Sequence, residues 1–129
     1  MKRTDLNSTS ELLNYIDLNQ FPLVKHYLDY DDCYSDDNWI RYSIYYNEND
    51  EPVAVIAKRL PEEQIGHILI LEVNKDLLGK GIGKQVVLDY MKGKEYWELW
   101  SVENAEGFYR KLGFKKSRKS ELFLWGFRD

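Results

Sequence analysis

The amino-acid sequence predicts one domain of mixed α/β class. The chain has 129 residues, which is enough for one hydrophobic core but not for two. Helical and strand patterns follow one another in the order α-α-β-β-β-α-β-α-β. Near the middle, the glycine-rich segment 78–84 (Leu-Gly-Lys-Gly-Ile-Gly-Lys) joins a buried strand to a helix. We therefore expect a single domain over residues 1–129.

The first part of the chain predicts two helices. Ser8 and Glu11 have the spacing of a capping box, and apolar residues follow at helical intervals. Pro22 is suited to the first position of a second helix, because its missing N–H is not needed there. An acidic and aromatic connection at 29–38 separates these helices from the strands.

Three strands are predicted next. Residues 39–46 alternate between apolar and polar, a turn follows at 47–50, and residues 52–60 return as the second strand of a hairpin. The apolar run at 65–73 is typical of one buried strand.

The second part of the chain predicts two more helices and further strands. A helix at 82–92 opens directly from the glycine segment, and a strand is predicted at 96–102. A short helix follows, with one apolar face made by Ala105, Phe108, Tyr109 and Leu112. One or two closing strands are predicted around residues 122–125.

Composition limits the class of protein. No apolar run is long enough to span a membrane, and the polar start of the chain is not a signal peptide. Cys33 is the only cysteine, so no internal disulfide is possible and a cytoplasmic location is expected. The net charge of −4 disfavours non-specific binding to nucleic acid. The acidic connection does not match a calcium loop, since Tyr34 and Ile40 occupy key positions, and no metal is expected.

The glycine segment has the features of an anion-binding loop. Glycines let the backbone approach a ligand closely, and a helix N-terminus offers unpaired N–H groups and a partial positive charge. Its spacing matches neither the Walker phosphate loop nor the dinucleotide fingerprint. An ordinary glycine-rich turn between strand and helix remains an alternative.

Two motifs in order resemble the GNAT superfamily of acyl-CoA-dependent N-acyltransferases. The first is Val73 followed by the glycine segment, and the second is 104–114 (Asn-Ala-Glu-Gly-Phe-Tyr-Arg-Lys-Leu-Gly-Phe). The resemblance covers residues 65–114 and implies a GNAT-like fold, a mixed and mostly antiparallel sheet flanked by helices, with a splayed central pair of strands. The sequence departs from the family pattern at Leu78, where Arg or Gln is common, and at Val102, where Asn is common.

The resemblance also implies a cofactor site. The pyrophosphate of acetyl-CoA would bind the backbone amides of Gly79, Lys80, Gly81, Ile82, Gly83 and Lys84. The pantetheine arm would lie between the strand that ends at Val73 and the strand at 96–102. A backbone amide between Leu71 and Val73 would bond the thioester carbonyl, and Asn104 would replace the family's asparagine.

Tyr109 and Glu72 are the candidate catalytic residues. By the resemblance, Tyr109 faces the leaving thiolate, as the family's usual general acid. Glu72 interrupts an apolar strand near the expected thioester and is the candidate base for the amine. A core position for Tyr109 and an edge or solvent-facing position for Glu72 are the alternatives, and His67 and Glu98 are weaker candidates for the base.

These observations predict a cytoplasmic acetyl-CoA-dependent N-acetyltransferase. It would transfer acetyl by direct attack of a bound primary amine of a small molecule or peptide, since Cys33 lies outside both motifs. No nucleic acid or membrane partner is expected, and the chain would be a monomer or homodimer. Two alternatives stay open: a non-catalytic CoA-binding regulatory or interaction module, and an acyltransferase for tRNA-linked or ribosomal amines.

Overall fold

Eight strands and four α-helices make up the part of the chain that the structure, a computed structural model, describes: residues 1–101 and 103–127. The strands are β1 (Lys2–Leu6), β2 (Ile40–Tyr46), β3 (Pro52–Arg59), β4 (Gly66–Ile68), β5 (Ile70–Val73), β6 (Trp97–Leu99), β7 (Lys115–Lys116) and β8 (Phe123–Trp125). The helices are α1 (Thr9–Tyr15), α2 (Pro22–Tyr30), α3 (Ile82–Tyr90) and α4 (Glu106–Lys111). Short 3₁₀ helices at 18–20, 32–35, 75–77 and 103–105 connect them.

The strands form two four-stranded sheets. The first has the order β1-β2-β3-β5 and is antiparallel throughout. The second has the order β4-β6-β8-β7, in which only the β4–β6 pair is parallel. The expected mixed and mostly antiparallel fold, with a splayed pair of strands, is therefore confirmed.

The prediction of one continuous strand at 65–73 is wrong, because this segment forms two strands. The chain bends at Leu69, so that β4 belongs to the second sheet and β5 to the first. The amide of Leu69 still donates to the carbonyl of Ala57, at 2.9 Å, and this bond keeps the bend against β3. Beyond the bend β5 pairs with β3 alone, and a gap opens between β5 and β6.

Two hydrophobic clusters cover opposite faces of the first sheet. One contains α1 and α2, with Leu12 and Val24 fully buried, and the other contains α3 and α4. β3 serves both, because Val55 lies in the first cluster and Ile56 in the second. A strand with buried side chains on both faces explains the continuous apolar run that the sequence shows in β3.

The predicted helix starts are confirmed, and one strand was missed. The hydroxyl of Ser8 accepts a hydrogen bond from the amide of Glu11 at 3.0 Å, and Pro22 is the first residue of α2. β1 was not predicted, because it is a charged outer strand in which only Leu6 is buried. The strand predicted at 96–102 is shorter, and Val102 lies outside the described residues.

Within residues 1–101 and 103–127, no helix is both long and apolar enough to cross a lipid bilayer.

We predict that Gly66→Ala destabilises the fold by about 1–3 kcal/mol. A β-carbon at Gly66 would overlap the indole ring of Trp97, which is buried at the junction of β4 and β6. Gly107→Ala is the matched control, because a β-carbon there meets nothing within 4 Å. Urea denaturation followed by tryptophan fluorescence measures both variants, and equal stability of the two would contradict the packing argument.

Candidate active site

A largely apolar cavity of about 320 Å³ lies where β5 ends and α3 and α4 approach it. Its walls come from β5, from the glycine segment and from α4. The lining residues are Pro22, Leu71, Glu72, Val73, Lys75, Leu78, Gly83, Ala105, Phe108 and Tyr109. The cavity thus brings together residues from both sequence motifs and the start of α2.

The backbone of β5 presents amides to the gap between the sheets. β5 is the outer strand of its sheet, and the amide of Asn74 donates to the carbonyl of Val53 on β3 at 2.8 Å. Because successive amides of a strand point in opposite directions, those of Leu71 and Val73 point away from β3. Their side chains pack against the second hydrophobic cluster.

The glycine segment forms an open cradle of backbone amides. Gly79 has a φ of 80° and Gly81 a φ of 74°, a conformation that other residues rarely adopt. Gly81 precedes the first turn of α3, where no side chain caps the helix and no acidic residue is present. The first-turn amides of Ile82, Gly83 and Lys84 are therefore left to bind an anion.

Gly83 and Leu78 shape the mouth of the cavity. A β-carbon at Gly83 would lie 3.2 Å from the ring of Phe108, so a glycine lets α3 approach α4 closely. Leu78 is 64% exposed and lines the cavity. The position at which the family commonly has Arg or Gln thus contributes an apolar wall here, while Lys80 and Lys84 remain exposed nearby.

Asn74 supports the site without lining the cavity, and the sequence did not predict this role. It is buried, and its side chain donates to the carbonyl of Pro52 at 3.0 Å and accepts from the amide of Asp76 at 2.9 Å. These bonds attach the connection between β5 and the glycine segment to β3. Its short polar side chain directly after an apolar strand was the available signal, since such residues begin turns.

Tyr109 lies in an apolar wall of the cavity. It is 8% exposed, and its ring meets those of Phe108 and Phe114 edge-on, at centroid distances of 5.1 and 5.6 Å. Burial raises the pKa of Tyr109 to about 12. Tyr109 therefore packs in the core and lines the cavity at the same time. A core position and a position facing the substrate do not exclude each other.

Glu72 is held by the N-terminus of α2. Its Oε2 accepts from the amide of Leu23 and its Oε1 from the amide of Val24, both at 2.8 Å. Burial raises the pKa of Glu72 above its ordinary value, and the two amide hydrogen bonds oppose that rise. The carboxylate is half-buried and lines the same cavity as Tyr109.

The remaining candidates lie elsewhere. Asn104 is exposed and does not line the cavity. His67 and Glu98 line a separate polar cavity of about 130 Å³, where His67 Nδ1 is 3.7 Å from Glu98 Oε1. Burial and Arg59 lower the pKa of His67, against the opposing effect of Glu98.

The acidic connection at 29–38 supports its own backbone. Asp31 accepts from the amide of Cys33 at 3.0 Å, and Asp36 accepts from that of Asn38 at 2.9 Å. Tyr34 is buried and stacks on Tyr27 at a centroid distance of 4.7 Å. Among the described residues, no group of three or more acidic, histidine or cysteine side chains could hold a metal ion.

Residues 39–116, more than half of the chain, match the family profile of the acetyltransferase (GNAT) domain. The chain belongs to the GNAT acetyltransferases. It is therefore an acyltransferase, and the resemblance seen in the two motifs is confirmed. A comparison with curated proteins found no match.

Solved structures of acetyltransferases share the fold. Tetrahymena GCN5 is similar with a TM-score of 0.69 and 14% identity, over 100% of this chain and 99% of that chain. The PaiA N-acetyltransferase from Thermoplasma acidophilum, solved in complex with coenzyme A, has a TM-score of 0.66 and 13% identity, over 98% and 100%. AtaT, solved with acetyl-methionyl-tRNAfMet, has a TM-score of 0.63 and 14% identity, over 96% and 94%.

We predict that Gly79→Ala and Gly81→Ala each destabilise this GNAT protein by about 1–2 kcal/mol, because alanine is strained at their positive φ. Lys80→Ala, between them, is the control and should change stability little, since Lys80 is exposed. Thermal unfolding of the three variants makes the comparison. An unchanged stability in both glycine variants would mean that the segment adopts another backbone conformation.

Proposed function

We propose that residues 1–129 form an N-acetyltransferase that transfers an acetyl group from acetyl-CoA to a primary amine of a small molecule or peptide. The observation that carries the proposal is the shared cavity, in which the amides of β5, the glycine segment, Glu72 and Tyr109 meet. The amine attacks directly while both substrates are bound. Cys33 has no part in the transfer, because it lies in the connection at 29–38 and does not line the cavity.

The residues present fit acetyl-CoA. The uncapped amides from Gly79 to Lys84 suit a pyrophosphate, with Lys80 and Lys84 adding positive charge. The acetyl thioester supplies an activated acyl group. In this proposal the outward amides of Leu71 and Val73 hold its carbonyl and stabilise the negative charge that develops there during attack.

Tyr109 assists departure of the thiolate by hydrogen bonding. With its pKa raised to about 12, against about 8.5 for a thiol, full transfer of its proton would cost about 5 kcal/mol. That cost is large, whereas a hydrogen bond from the Tyr109 hydroxyl to a buried sulfur anion needs no proton transfer. We therefore assign Tyr109 to stabilising the thiolate through its hydroxyl group, with protonation completed later from solvent.

Glu72 is the proposed base for the amine. An amine with the pKa of lysine, about 10.4, costs about 4–5 kcal/mol to deprotonate at pH 7. Each oxygen of Glu72 uses one lone pair on an amide of α2, and its second lone pair remains available for a proton or a water relay. The rise in its pKa caused by burial makes the carboxylate a better proton acceptor.

The proposal predicts that acetyl-CoA binds and that a suitable amine releases free thiol from it. Calorimetric titration measures binding, and a thiol assay over amines, peptides and aminoacyl-tRNA measures transfer. Amine-dependent thiol release with acetylated amine as product supports the proposal. Binding without transfer to any acceptor would contradict it, and transfer only to aminoacyl-tRNA would move the acceptor to the class that AtaT binds.

We predict that Tyr109→Phe lowers kcat by about 10–100-fold and leaves the Kd for acetyl-CoA nearly unchanged, because only the hydrogen bond to the leaving sulfur is lost. Tyr30→Phe is the control, since Tyr30 is 80% exposed and outside the cavity. Steady-state kinetics and calorimetry on both variants test this. Equal kcat values would remove Tyr109 from the mechanism.

A further inference from the structure

Helix α2 begins without a cap of its own. Its N-cap residue, Phe21, offers no capping side chain, and the first turn contains no acidic residue. Pro22 has no N–H, so Leu23 and Val24 provide the first amides of the helix, and both donate to Glu72 from 49 and 48 residues away in sequence. A carboxylate on β5 thus takes the place of the missing cap.

We infer that the backbone N–H groups of Leu23 and Val24 are the positioning groups of Glu72: they fix both carboxylate oxygens at the cavity and set how readily Glu72 takes up a proton. This inference rests on the proposed function, in which Glu72 is the base. It assigns the start of α2 a part in amine activation, although neither amide contacts the reacting atoms.

The geometry supports the inference that the start of α2 controls proton uptake by Glu72. Two amide donors at 2.8 Å stabilise the ionised carboxylate, and the partial positive charge of the helix end acts in the same direction. From the other elements around the cavity, the titratable groups are Tyr109 on α4 and Lys75 after β5. Burial raises the pKa of the Glu72 carboxyl, and the two amide hydrogen bonds oppose that rise by favouring the ionised form.

A proline at residue 23 removes one of the two donors. Leu23→Pro deletes the N–H that Glu72 Oε2 accepts, and the first turn of a helix tolerates proline because its amides have no partner within the helix. Leu23→Ala is the matched control, since it shortens the same side chain and keeps the N–H. Leu23 is 36% exposed, so both changes should leave the core intact.

Carbon-13 NMR of the glutamate carboxyls measures the effect directly, with the Glu72 signal assigned by its loss in Glu72→Gln. We expect its titration midpoint to move up by roughly one pH unit in Leu23→Pro and to stay in place in Leu23→Ala. The acidic limb of kcat/KM should move by the same amount. An unchanged carboxyl titration in Leu23→Pro would overturn the inference.

Two further results separate failure of this inference from failure of the proposed function. If the carboxyl titration moves and the kcat/KM profile does not, Glu72 is not the base and the positioning role falls, while acetyl transfer stands. If Leu23→Pro does not fold, amide hydrogen exchange is compared between the unmodified protein and Glu72→Gln. The amides of Leu23 and Val24 should exchange slowly in the unmodified protein and at least 10-fold faster in Glu72→Gln. Equal exchange would overturn the inference.

Discussion

Backbone hydrogen bonds assign residues 66–68 to one sheet and residues 70–73 to the other, and the bend at Leu69 is where the chain changes partners. Had β4 and β5 been one strand, β6 would have continued beside it and closed the gap. Because β5 pairs only with β3, its outward amides have no neighbouring strand to bond with. The space beside those amides is the cavity. The glycine segment, α3 and α4 converge on this cavity.

The N-termini of α2 and α3 both lack a side-chain cap, and they are used differently in this region. The N-terminus of α2 is filled by the carboxylate of Glu72, whereas the N-terminus of α3 stays open behind Gly81. An unpaired helix end is costly when it is buried and useful when it is exposed. The end of α2 receives a negative group from the protein itself, and the amides at the end of α3 are free for one from a ligand.

Sequence patterns predicted the features that depend on neighbouring residues. The cap at Ser8, the start of α2 at Pro22 and the glycine segment before α3 follow from spacing within a few positions. Features that depend on pairing between distant residues were not predicted. The bend at Leu69 depends on both sheets, and β1 is a strand because it pairs with the edge of β2. Glu72 was found as a polar residue in an apolar run, but its bonds to α2 join positions nearly fifty residues apart.

The outer strands of the two sheets have a consequence for self-association. β1 begins with Lys2 and Arg3 at one edge, and β7, at the edge of the other sheet, consists of Lys115 and Lys116. Lysine side chains on an edge strand disfavour its pairing with the same edge of a second copy. Growth of a continuous sheet from copy to copy is therefore disfavoured at these two edges.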